Sequence, residues 1–208
     1  MVIKSVRFAG AIAKPGGRAP GSGPQIAFSG RSNVGKSSLI NRLLGRTRSH
    51  VARVSAMPGK TQEINFYDVR VGLDGRDVRF YLVDLPGYGY ARVSKEQRRR
   101  WKPLIERYLA ETEELVGVVQ LVDARHGPTA ADLQMIDFLA GIGVPSLFVL
   151  TKADKLSRRE REVEIPGMAK RLGVDEDQIV LFSARSGEGR DELLEALAGL
   201  VDEHRSDA

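Results

Sequence analysis

The chain has 208 residues, 42% hydrophobic and 28% charged, with a formal net charge of +5 and no cysteine. That length suits one well-buried domain rather than two, and the missing cysteines exclude disulfides and thiolate metal sites, which fits a reducing compartment. With no leader-like apolar stretch near Met1 and no apolar run of about 18 residues, the expectation is a cytoplasmic protein with no membrane partner, whose basic excess is compatible with a polyanion.

In chain order, residues 2–9 fit a short edge strand, and Lys14 to Pro24 is so rich in Gly and Pro that it reads as a loop or connector. Gln25-Ile26-Ala27-Phe28 is a core-strand run, and Ser38 to Leu44 carries apolar residues at helical spacing. Residues 45–63 hold Arg46, Arg48, Arg53 and Lys60 with little periodicity and a turn at Pro58-Gly59. Long polar connections of this kind are functional or disordered. Residues 64–71 and 78–83 flank a turn containing Asp74-Gly75 and predict an antiparallel hairpin.

Ser94-x-x-Gln97 is a capping-box signature opening a helix to about Ala110, in which Pro103 predicts a kink or a division. Leu115 to Val122 reads as a buried strand, and Thr129 caps a helix over 130–140 closed by Gly141. Residues 146–150 are another strand, and Ser157 begins a charged helix that Pro166-Gly167 interrupts. Ile179 to Phe182 is the last strand, and Leu193, Leu194, Leu197, Leu200 and Val201 mark one face of the terminal helix. Strands alternating with helices predict an α/β protein with a mostly parallel sheet and one antiparallel edge.

Four segments carry chemistry. Gly30-Arg31-Ser32-Asn33-Val34-Gly35-Lys36-Ser37, followed by Ser38, has full P-loop spacing between a strand and a helix. Its glycines let backbone N–H groups surround a phosphate, Lys36 adds charge at the β- and γ-phosphates, and Ser37 offers its hydroxyl to Mg²⁺. Asp84-Leu85-Pro86-Gly87 follows a strand; Asp84 would hold Mg²⁺ through water and the Gly87 N–H would meet a γ-phosphate. Thr151-Lys152-Ala153-Asp154 follows another strand. The Asp154 carboxylate suits the N1–H and N2–H₂ of guanine, which adenine lacks, and the Lys152 stem can pack along a purine. Ser183-Ala184-Arg185 sits after Phe182, where its amides would reach the guanine O6.

A γ-phosphate sensor is expected in Pro58-Gly59-Lys60-Thr61-Gln62-Glu63, with Thr61 as a Mg²⁺ ligand and Thr47 as its rival.

The ordered set GRSNVGKSSLIN, PGKTQEINFY, DLPGYGYA, TKADK and FSA resembles the EngB (YihA/YsxC) family of bacterial ribosome-biogenesis GTPases, from about residue 24 to the C-terminal helix. The resemblance implies a three-layer Ras-like G domain with a six-stranded sheet and helices on both faces. It implies binding of GTP or GDP with Mg²⁺, slow hydrolysis, and a role in large ribosomal subunit assembly, and so in normal growth and division. Carried over residue by residue, it gives the nucleotide site Gly30 to Ser38, Gly59 to Glu63, Asp84 to Gly87, Thr151 to Asp154 and Phe182 to Ala184. Lys36, Thr61, Gly87 and Asn33 stand nearest the reaction, Asn33 as a holder of K⁺, and Ser37, Thr61 and Asp84 form the metal set. The division expected is a 1–24 extension, a 25–204 G domain and a 205–208 tail, the whole a monomer that does not bind DNA.

Tyr88 stands where the Ras type carries a water-orienting Gln, so intrinsic turnover should be slow, and no residue is assigned as a catalytic base. Arg98-Arg99-Arg100-Trp101-Lys102 is the densest basic run, suited to RNA phosphate or stacking, or else a solvated helix face. Two other classes stay open at this point: a nucleotide-gated RNA-binding module with incidental hydrolysis, and an ATP phosphotransferase, which TKAD disfavours.

Overall fold

A computed structural model describes residues 2–46, 52, 63–73, 75–89 and 95–206, the side chains of 73, 95–101 and 205–206 excepted. Its elements, in chain order, are β1 (Val2–Ile12), β2 (Gln25–Gly30), α1 (Lys36–Leu43), β3 (Ile64–Leu73), β4 (Arg76–Asp84) and α2 (Lys95–Glu111). β5 (Leu115–Asp123), α3 (Ala130–Gly141), β6 (Ser146–Thr151), α4 (Arg158–Leu172), β7 (Ile179–Phe182) and α5 (Arg190–Ser206) complete the chain.

The strands form one sheet in the order β1-β3-β4-β2-β5-β6-β7, so it has seven strands where six were expected. The strand beyond the six that the resemblance implies is β1, the edge strand expected over residues 2–9, which runs on to Ile12 and pairs antiparallel with β3 from Val2↔Gly72 to Ile12↔Ile64. β3 also runs antiparallel to β4, as the expected hairpin does, while β4, β2, β5, β6 and β7 are mutually parallel. The edge strand is interrupted at Ile3/Ser5 and Phe8/Gly10 and carries Lys4 and Arg7, devices that discourage another chain from adding to it.

β2 lies at the centre, and all of its residues are buried. Its alternation feeds two layers. Ile26 and Phe28 pack with Leu39, Ile40 and Leu43 of α1 and Leu193, Leu194 and Leu197 of α5. Ala27, on the other face, packs with Leu104, Ile105, Tyr108 and Leu109 of α2 and Leu139 of α3. Met168, Ala169 and Leu172 of α4 cover Phe148, Leu150 and Ile179.

Of the kink or division expected at Pro103, the division does not occur, and Pro166-Gly167 does not interrupt α4. Both prolines sit on the exposed side of their helices, so the carbonyl each leaves without a helical donor can be solvated. The buried residues just beyond each proline keep the helix on the sheet.

The helix starts match expectation: Thr129 with Asp132, and Ser157 with Glu160, each form a reciprocal capping box. Ser94, the corresponding signal for α2, lies outside the described residues. Among the described residues, no helix is long and apolar enough to cross a membrane.

Candidate nucleotide site

The sheet places the C-terminal ends of β2, β4, β5, β6 and β7 along one rim, where an open α/β sheet takes its ligands. Between β2 and α1 the chain bends through Asn33 (φ 65°) and Gly35 (φ 107°), both left-handed. Asn33 is the less common case, since few non-glycine residues adopt that region, although Asn does so more readily than most. Its carbonyl accepts from Lys152 Nζ at 2.7 Å, and Lys152 is itself left-handed at φ 61°. Thr151 Oγ1 donates to the next carbonyl, that of Val34, at 2.6 Å. The TKAD segment therefore braces the P-loop from outside. This role of Thr151 and Lys152 was not in the sequence reading, which assigned Lys152 to the purine.

Asp123, at the end of β5, is a second residue that sequence reasoning missed. It accepts from Lys152 Nζ at 2.7 Å and from Arg125 Nη2 at 2.7 Å. Burial pushes its carboxyl up, but the hydrogen bonds from Arg125 and Lys152 outweigh that and hold it well below the usual carboxylate range. The Leu121-Val122-Asp123 run offered a weak signal, an acid at a strand's C-terminal end.

Asp154 is positioned from β7: Ser183, fully buried, donates its Oγ to Asp154 Oδ1 at 2.8 Å. The Ser183 N–H bonds the Glu188 carbonyl. Arg161 of α4 donates to the Ala153 carbonyl at 2.7 Å and pairs with Glu188, so the loops after β6 and β7 are tied together. Arg161 and Glu188 carry no sequence motif; each is one charge among many until the fold juxtaposes them.

On the phosphate side, Lys36 and Asp84 form a buried ion pair, with side chains 9% and 6% exposed. Leu85 N–H bonds the Phe28 carbonyl at 3.2 Å, so the loop after β4 continues along the end of β2. Ser32 N–H donates to the Tyr88 carbonyl at 2.9 Å, and Ser32 Oγ to the Gly87 carbonyl at 3.3 Å. A Cβ on Gly87 would lie 3.1 Å from the Ser32 nitrogen, so glycine permits this approach.

Gly30 to Ser38, Asp84 to Gly87, Thr151 to Asp154 and Phe182 to Ala184 thus gather at one rim. Glu63 is exposed just before β3, two residues from Asn65, which pairs with Asp84 at the end of β4, and its carbonyl accepts from the Asn65 side chain. Thr47, Gly59, Lys60, Thr61 and Gln62 lie outside the described residues. The side chains of Arg98, Arg99, Arg100 and Trp101 do too, although their backbone belongs to α2.

A family model described as 50S ribosome-binding GTPase matches residues 25–152. The "Probable GTP-binding protein EngB" of Gemmatimonas aurantiaca is 50% identical over 202 residues, 97% of this chain and 95% of that protein. Its namesake from Pelotomaculum thermopropionicum is 46% identical over 202 residues, 97% and 98% of the two chains. A crystal structure of a probable GTP-binding protein engB superposes with a TM-score of 0.63 at 22% identity, covering 86% of this chain and 99% of that one. Era in complex with MgGDPNP and a 16S ribosomal RNA fragment gives 0.69 at 24% identity over 86% and 56%. These two structures share the fold.

Proposed function

The chain belongs to the EngB family and is a P-loop GTP hydrolase, and from that premise we propose a slow, Mg²⁺-dependent switch acting in assembly of the large ribosomal subunit. The observation that carries the proposal is the match of residues 25–152 to a 50S ribosome-binding GTPase model. That span includes the P-loop, the Asp84–Gly87 loop and the start of the base-recognition segment.

The geometry supports a switch because the two groups that would serve a nucleotide, Lys36 and Asp84, are bound to each other. GTP·Mg²⁺ would separate them, Lys36 going to the phosphates. Ser37 and Asp84 are hard oxygen donors of the kind Mg²⁺ takes, with Thr61 proposed as the third protein ligand. When bound, the ion would supply positive charge that neutralises charge developing on the phosphates. Asn33 is proposed to hold K⁺, and Asp154 to read guanine.

We take residues 25–204 as the GTPase unit, with β1 an added strand from the 1–24 extension and 205–208 a tail. The partner proposed is a large-subunit precursor, its RNA contacted by Arg98, Arg99 and Arg100, and the protein itself is a cytoplasmic monomer.

The test is co-sedimentation with large-subunit particles at several salt concentrations, in GDP and in a non-hydrolysable GTP analogue. Binding should favour one nucleotide state and weaken as salt rises. Replacing Arg98, Arg99 and Arg100 with Ala should flatten the salt dependence by up to about 3 in log–log slope while leaving nucleotide affinity intact. Single-turnover hydrolysis with and without particles separates a switch from an RNA-binding module whose hydrolysis is incidental. Binding indifferent to nucleotide would overturn the switch.

A further inference from the structure

Tyr88 is anchored by both its side chain and its backbone. Its hydroxyl donates to Asp132 Oδ1 at 2.8 Å and accepts from Gln120 Nε2 at 2.6 Å. Asp132 is 2% exposed, and its other oxygen accepts from Thr129 N–H at 2.8 Å and Thr129 Oγ1 at 2.6 Å. One buried carboxylate therefore serves both the first turn of α3 and the loop after β4.

The backbone of Tyr88 faces the other way. It forms a parallel bridge with Arg31, its carbonyl accepts from Ser32 N–H, and its N–H donates to the Gly30 carbonyl at 3.3 Å. The chain then leaves through Gly89 in a left-handed turn (φ 72°), where a Cβ would lie 3.3 Å from Arg31 Cγ and 3.6 Å from Ala131 Cβ. Side chain and backbone thus tie the same residue to α3, β5 and the P-loop. Burial, and then the Asp132 charge, push the phenol's ionisation far up, so it remains a donor at any working pH.

We infer that Tyr88 is a positioning residue for the GTP-bound state: its phenol pins the 84–88 loop to α3, which holds the Gly87 peptide against the P-loop where a γ-phosphate arrives. The inference rests on the reading of Gly87 given above. Tyr88 itself touches neither the phosphate nor the attacking water, because its hydroxyl is committed to Asp132 and Gln120. What it supplies is a loop already ordered before the γ-phosphate binds, which lowers the ordering cost of GTP relative to GDP.

The experiment is equilibrium binding of GDP and a non-hydrolysable GTP analogue to the full chain. Tyr88→Phe keeps the ring and removes the hydroxyl. It should weaken the analogue about tenfold, the worth of one hydrogen bond to a charged acceptor, and leave GDP within about twofold. Asp132→Ala should do the same, and the double variant should lose no more than either alone. Thr129→Val, which loosens the α3 cap without touching the phenol, should lower thermal stability and leave the GTP-to-GDP affinity ratio unchanged. An unchanged ratio in both Tyr88→Phe and Asp132→Ala, or equal losses for both nucleotides, overturns the inference. Failure of the unmodified protein to distinguish the analogue from GDP at all would instead overturn the reading of Gly87.

Discussion

The two halves of the rim are built differently. On the base side, Asp154 is held by Ser183, the Ala153 carbonyl by Arg161, and the Asn33 and Val34 carbonyls by Lys152 and Thr151. None of these bonds uses an atom that a phosphate or Mg²⁺ must have, so they can persist when nucleotide binds. On the phosphate side the buried ion pair, Lys36 with Asp84, is made by the two charges proposed to serve the phosphates and Mg²⁺. The guanine is the same in GDP and GTP, while the γ-phosphate comes and goes. A fixed frame suits the constant part of the ligand, and an exchangeable ion pair suits the part that changes.

The largest effect should come from breaking the exchangeable pair on one side only. Lys36→Met leaves Asp84, 4% exposed, as a buried charge without its cation. The expected loss of stability in nucleotide-free protein is about 3–5 kcal/mol, read from urea unfolding. Lys36→Met combined with Asp84→Asn should recover most of it, because an apolar group beside a neutral amide removes the uncompensated charge. Both variants should fail to bind GTP. A Lys36→Met protein as stable as the unmodified chain would show that the pair does not hold the phosphate side, and the contrast between the halves would collapse.

On the base side the corresponding change should alter choice rather than stability. Asp154→Asn keeps the shape and an acceptor for Ser183, so folding should change by less than about 1 kcal/mol. Guanine N1–H and N2–H₂ would lose their carboxylate, and GTP affinity should fall by about three orders of magnitude. Xanthosine triphosphate, with a carbonyl in place of the amino group, should gain. Competition binding against labelled GDP gives both numbers. Full GTP affinity in this variant would place base recognition elsewhere.

Much of this frame is legible in the sequence, and the reason is local. Gly30 to Ser37 announces itself because phosphate binding needs fixed residue types at fixed spacing on a strand–loop–helix unit. The strands 25–28, 115–122, 146–150 and 179–182 are apolar runs of a length that central parallel strands require. What escaped is whatever depends on juxtaposition. Lys152 looked like a purine-packing stem because nothing local says that its ammonium reaches Asn33. Asp123, Arg161, Glu188 and Asp132 are single charges, each with a partner 27 to 44 positions away along the chain, from Arg161 with Glu188 to Asp132 with Tyr88. The prolines misled in the opposite sense, since local propensity predicted breaks that packing overrode.

The smallest predicted effect tests the seam between the halves, where Asp123 holds Lys152 and Lys152 holds the P-loop. Asp123 has a folded-state carboxyl held below its ordinary value of about 3.9, because the bonds from Arg125 and Lys152 outweigh burial. A depressed acid binds fewer protons folded than unfolded. Its contribution is therefore fully present above the ordinary carboxylate range and is lost as pH falls through that range toward the folded value. Arg125 is 41% exposed, so solvent screening limits the contribution to about 1 kcal/mol. Asp123→Asn should lose that amount at pH 7, and its stability curve should converge with that of the unmodified chain as pH drops below about 4. Urea midpoints between pH 7 and pH 3 measure the difference. Two curves that stay parallel down to pH 3 would mean that the carboxylate contributes no proton-linked stability, and the weight of this seam would then fall on Thr151 and the Lys152–Asn33 bond.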